Sequence, residues 1–228
     1  AGATGNFTIG SGAGTNGAFP GARFINGETG GESLNFNQNF AAGGGDPVYP
    51  FFITITGNVT VNQIGPGTTI LNGANTYTGA TIVNGGTLAY GVANALPTAT
   101  DVSVTDEGTL DLGTFDVSVS QLLLSGGSVV GNGSLSAPAG IFSSGGQIEA
   151  SIAGTTTLEL TSGTLSLSGT NSYSGGTLIE GGTLVAANAE ALGTGDVLVS
   201  SGGTLVLQGG LPLANDDTLS GGGYEIAI

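Results

Sequence analysis

Residues 167–192 read "LSGTNSYSGGTLIEGGTLVAANAEAL", and residues 71–96 read "LNGANTYTGATIVNGGTLAYGVANAL". The two stretches align without a gap and agree at 13 of 26 positions. Most of the remaining differences are mild, such as Thr76 for Ser172, Thr78 for Ser174 and Ile82 for Leu178. A repeat this long invites a search for a shorter one inside it. The phrase Gly-Gly-Thr-Leu, or a close variant, recurs at 85–88, 107–110, 126–129, 145–148, 162–165, 181–184 and 202–205. Its spacing stays near twenty residues and tolerates changes of one to three, as a structural ruler with elastic loops would.

The residues after each phrase alternate: "TLDL" at 109–112, "TLSL" at 164–167 and "TLVL" at 204–207. Apolar side chains at every second position share one face of a strand. Upstream runs such as "DVSV" at 101–104 and "DVLVS" at 196–200 do the same. Each period therefore holds two or three short strands, with Gly, Asn, Asp or Ser between them. Only 92–96 and 186–192 offer a brief helical turn. A unit of this size cannot bury its own inner face, but stacked copies can. The expected fold is all-β: a right-handed parallel β-helix, or β-solenoid, with coils of about 20 residues. Leu110, Leu112, Leu165, Leu167, Leu184, Leu205 and Leu207 would stack inward. At about 4.8 Å per coil, residues 51–228 would make roughly nine coils and a rod of about 40 Å. A β-sandwich or ordinary barrel is the competing fold, and neither imposes a twenty-residue ruler.

Composition supports the same reading. The chain has 46 glycines in 228 residues and no Cys, Met or Trp. The glycines lack the G-X-Y period of collagen, and a core must be built mainly from Leu, Val, Ile and Ala. Sixteen acidic residues face one basic residue, Arg23, for a formal charge of −15. Nucleic-acid binding needs a cationic footprint, which is missing. Anionic membrane surfaces would repel the chain, and no apolar run is long enough for membrane insertion as a helix.

With the periodicity established, the segment 169–207 resembles the passenger-associated repeat of bacterial autotransporters. That family's pattern is G-x-N-x-Y-x-G-x-T, then G-G-T-L, then A-L-G, then a strand and G-G-T-L again. Asn171, Tyr173, Gly175, Thr177, the phrase at 181–184, Leu192, Gly193 and the phrase at 202–205 match in order. The copy at 71–112 matches less fully: Pro97 stands where Gly193 stands, and one extra residue precedes Asp101. The resemblance implies a β-helix exported to the bacterial cell surface or secreted. It implies a non-enzymatic structural or adhesive role, with a self-assembling fibre subunit and a cell-anchored adhesin both open.

Residues 1–50 differ in texture and are expected as a Gly- and aromatic-rich cap or docking segment, with the β-helix proper over 51–228. The chain closes on "YEIAI" at 224–228 after a run of glycines. That strand can close the last coil, or pair with a neighbouring molecule by strand addition. The self-association candidates are therefore Tyr224, Glu225, Ile226, Ala227 and Ile228, meeting Phe7 and Phe24 of the next copy. The expected partners are a second copy, end to end, or a cell-surface or glycan ligand.

No catalytic residue is assigned. Without His or Cys the common nucleophile–base pairs cannot form. Asp106, Glu107, Asp111 and Asp116 lie close in sequence, and two carboxylates are what a glycosidase needs. A carbohydrate-active β-helix enzyme, either lyase or glycosidase, is thus the alternative from another class. An ice- or glycan-binding solenoid is a third. No cofactor is expected. Calcium is the one metal with suitable donors, at Asp106 and Glu107 and at Asp216 and Asp217. Turn-forming carboxylates that bond their own backbone are the bland alternative.

Overall fold

The protein is described by a computed structural model covering residues 6–9, 24–37, 48–208 and 220–227. Among these residues there is no helix, and every pairing between strands is parallel. The chain is a parallel β-solenoid.

Alternation produces the first face. Leu34, Val61, Thr81, Val102, Leu122, Ile141, Leu158, Thr177 and Val197 are successive register partners, one per coil. Two residues on, Phe36, Gln63, Val83, Val104, Leu124, Ser143, Leu160, Ile179 and Val199 form a second column. Both columns are buried throughout. From Thr54–Gln63 the rungs are Thr81–Val83, Asp101–Thr105, Gln121–Ser125, Ile141–Ser143, Leu158–Leu160, Thr177–Ala186, Val197–Gln208 and Ser220–Ala227. These nine rungs enclose eight turns and make about 40 Å of the rod.

The second face carries the recurring phrase. Thr69, Leu88, Leu110, Val129 and Ile148 are partners in turn. Here the structure departs from a phrase-by-phrase alignment. Ile148 meets Leu167, and Leu165 lies opposite Gly146. The ladder slips by two residues at the shortest step of the ruler. A one-residue slip would turn every side chain to the other face, whereas a two-residue slip keeps inside and outside. Leu165 and Leu167 therefore both stay buried, as do Leu110, Leu112, Leu184 and Leu205. Leu207 is only partly buried, near the far end of the stack.

A third, shorter face pairs Val117, Leu135 and Ile152. Gln63 enters the core fully bonded. It donates to the carbonyls of Gly65 (2.9 Å) and Gly67 (3.0 Å) and accepts from the Thr69 hydroxyl (2.7 Å).

The ladders run below residue 51. Asn6–Ile9 pairs with 33–36, and Phe24–Phe36 pairs with Thr54–Gln63. Ile9, Leu34 and Phe36 are buried, and Phe36 stands edge-on to Phe51 with ring centres 5.0 Å apart. These parts of the segment expected as a cap are rungs of the rod, Val48–Phe51 pairs with Thr68–Leu71, and residues 1–5, 10–23 and 38–47 lie outside the described residues.

Candidate functional site

The motif G-x-N-x-Y-x-G-x-T builds one corner twice. Asn171 is buried where the third face would otherwise lack a strand. Its Oδ1 accepts the backbone N–H of Ile152 at 2.7 Å, in the coil before, and its Nδ2 donates to the carbonyl of Ala191 in the coil after. Asn75 does the same between Ile55 (2.7 Å) and Ala95 (2.6 Å). One side chain thus replaces ladder bonds at a corner where buried backbone groups need partners. Tyr173 and Tyr77 are fully buried, with hydroxyls 2.6 Å from Thr177 and Thr81 respectively. Burial pushes the Tyr77 phenol well above its usual range, against the smaller opposing effect of the Thr81 bond. At Gly175 and Gly79 a Cβ would strike the carbonyls of Thr156 and Val59 in the preceding coil, so only glycine fits.

The copies diverge where their sequences do. Gly193 has φ +67° and no room for a Cβ beside Tyr173. Its counterpart Pro97 sits in a turn closed by Thr100 N–H to Pro97 O at 3.2 Å. The inserted Thr100 is buried and extends the hydroxyl chain, 3.2 Å from Thr81 and donating to Gly79 O at 2.9 Å. The segments 92–96 and 186–192 form turns, not helix.

The acids expected as candidates sit apart on the outside. Asp106 and Glu107 are exposed on the turn between Asp101–Thr105 and Gly108–Asp111. Asp111 accepts its own turn's Gly113 N–H at 2.8 Å. Asp116 ties to the next coil through Ser134 N–H (3.1 Å) and Oγ (2.7 Å). Among the described residues no three metal-binding side chains gather. Asp216, Asp217 and Ile228 lie outside the described residues. Of the self-association candidates, 224–227 have a described backbone. It pairs with 205–208 of the same chain, continuing the second face. Phe7 and Phe24 are placed by backbone alone, in the ladder opposite Leu34 and Thr54.

Two outward columns were not visible in sequence. On the second face Thr68, Thr87, Thr109 and Ser128 fall in register, though they look scattered along the chain. On the first face the column is apolar: Leu123, Phe142, Leu178 and Leu198, broken once by Glu159. Leu123 is 41% exposed and Leu198 is 44%. The available signal was a run of apolar residues, as in "LLL" at 122–124 or "VLV" at 197–199, whose middle member must point out. Beside this column lies a groove of about 430 Å³ lined by Thr157, Glu159, Ser174, Gly176, Leu178 and Asp196. Thr177, the residue after Gly176, pairs with Leu158 below and Val197 above, which sets Gly176 between Thr157 and Asp196. The missing side chain there cuts the notch.

The twice-built corner is the form taken in the fold by the repeat that resembles those of autotransporter passengers. The family described as passenger-associated-transport-repeat matches residues 61–89 and 162–186, so the chain carries two copies of that repeat. Both matches contain the Asn–Tyr–Gly–Thr corner and the Gly-Gly-Thr-Leu phrase that follows it. The chain is also similar to a protein of Brucella suis biovar 1 (strain 1330) described as adhesin BmaC autotransporter. The two are 47% identical over 74 residues, which is 32% of this chain and 2% of that protein. This chain therefore spans a small fraction of the length of that relative. No solved structure matches it.

Proposed function

We propose that this chain is a non-enzymatic adhesive segment of an exported passenger, displayed at a bacterial surface or released from it. The observation that carries the reading is the pair of passenger repeats, joined to 47% identity with an adhesin autotransporter over 74 residues. The candidate acids support it as well. Asp111 and Asp116 are spent on backbone and inter-coil bonds, and Asp106 and Glu107 face solvent on a turn. A rod stiffened by its own core presents outward columns for contact, which suits binding better than turnover. The test is adhesion of beads coated with the purified chain to cultured host cells and to neighbouring bacteria. Coated beads that adhere no better than albumin-coated beads on every surface would sink the reading.

A second reading is an end-to-end fibre. It draws on the strand Ser220–Ala227, which joins the ladder through 198–208 and pairs with no other strand among the described residues. Strand edges of this kind accept a further strand. A charge of −15 opposes assembly at low ionic strength, so salt or calcium should promote it. Deleting 224–228 and following light scattering tests this. Filaments that survive the deletion would place the contact elsewhere.

A further inference from the structure

We infer that the outward apolar column of the first face, with its acidic notch, docks an extended cationic segment of another protein, a lysine or arginine set between apolar side chains. The inference rests on the adhesive reading and names the chemistry of its partner. Leu123, Phe142, Leu178 and Leu198 stack at the coil spacing, giving an apolar stripe about 20 Å long. Outward apolar side chains stacked in this way mark interaction sites, and here Leu123 and Leu198 are the stripe's exposed ends while Glu159 divides it. Glu159 is half-buried in the middle of the stripe, and Asp196 faces it across the notch left by Gly176. A carboxylate embedded among leucines gains most from a cation that shares its partly dry surroundings.

Charge selects the occupant. The chain has sixteen acids and a single arginine, so a second copy brings like charge to this face. An anionic surface or nucleic acid is repelled for the same reason. A segment with an apolar–cation–apolar pattern matches the column, the notch and the column again. Strands of the rod already use both backbone edges within the ladder, so contact here is through side chains rather than strand addition.

The test uses the whole chain and a short fluorescent peptide of alternating valine and serine with one central lysine, followed by anisotropy. Binding is expected, falling between about 0.02 and about 0.5 M salt. Replacing the peptide's lysine with glutamate should abolish it. Glu159→Gln and Leu198→Ser should each weaken it about threefold to tenfold, while Gln147→Ala on the second face should leave it unchanged. Both target residues point outward, and circular dichroism checks that the variants fold. Equal binding by wild type, Glu159→Gln and Leu198→Ser overturns the inference, as does equal binding of the glutamate peptide. Self-association abolished by Leu198→Ser overturns it too, and assigns the face to a second copy. If bead adhesion persists without peptide binding, only this inference fails. If peptide binding persists without adhesion, only the adhesive reading fails.

Discussion

Replacing Asn171 with alanine tests whether one side chain holds three coils together. The change removes the acceptor for Ile152 N–H and the donor to Ala191 O, both buried. Each orphaned backbone group costs about 1–3 kcal/mol, so the expected loss is about 2–6 kcal/mol. In a solenoid each coil contacts only its neighbours, so the loss should be local. Amide hydrogen exchange reads it directly. At the lower end of the range the Ile152 amide should exchange roughly thirtyfold faster, while Ile55, held by Asn75, should not change. Asn75→Ala should give the mirror result. Asn171→Asp sharpens the test. Its carboxylate can still accept from Ile152 but faces the Ala191 carbonyl with a buried charge, so at neutral pH it should be at least as damaging as alanine. Burial raises the folded-state pKa of such a group, and the protonated form can donate to Ala191. Stability should therefore recover as pH falls and be lost as pH rises through that raised value. An Ile152 amide that exchanges less than about threefold faster in Asn171→Ala would refute the bridging argument.

Leu205→Ala should lower stability by about 2–5 kcal/mol through a core cavity, and Leu207→Ala by clearly less because its site is only partly enclosed; denaturant titration compares them. The buried Tyr90 hydroxyl has no partner among the described residues, and desolvation first, then the nearby Tyr77, pushes its pKa well up. Tyr90→Phe should thus be neutral or stabilising by about 1 kcal/mol, whereas Tyr173→Phe, which gives up the bond to Thr177, should cost about that much in thermal unfolding. Polysaccharides should not be cleaved with or without calcium; turnover abolished by Asp106→Ala or Asp111→Ala would reverse the non-enzymatic reading.

Much of this fold was legible because its period is short and its alternation strict. Leu110, Leu112, Leu184 and Leu205 could be assigned inward from sequence alone, since parity is a local property of a strand. Register between coils is not local. The two-residue slip at Ile148 was invisible because both alignments keep the same residues inside, and pairing across coils decides between them. The surface was less legible for the same reason. Thr68, Thr87 and Thr109, or Leu178 and Leu198, become neighbours only once the coil length is known to the residue. The rungs at 6–9 and 24–36 were hidden by a longer step, since Leu34 and Val61 lie further apart in sequence than any later pair of partners on that face. Asn75 and Asn171 were recognised as motif letters, but their bridging role needed the carbonyl and amide of two other coils.

The twice-built corner also bears on how such a rod can change length over generations. Asn75 and Asn171 hold equivalent partners in corners written with the same motif. An exchange that removed residues 75–170 would bring Asn171 to Ile55, where Asn75 had been, and Tyr173 to the place of Tyr77. The ladders would rejoin in register, with no new side chain asked to face the core. The reciprocal exchange would lengthen the rod by the same block. Repetition at this corner makes length a heritable variable that can shift in whole turns, while the outward columns on either side of the joint are reshuffled.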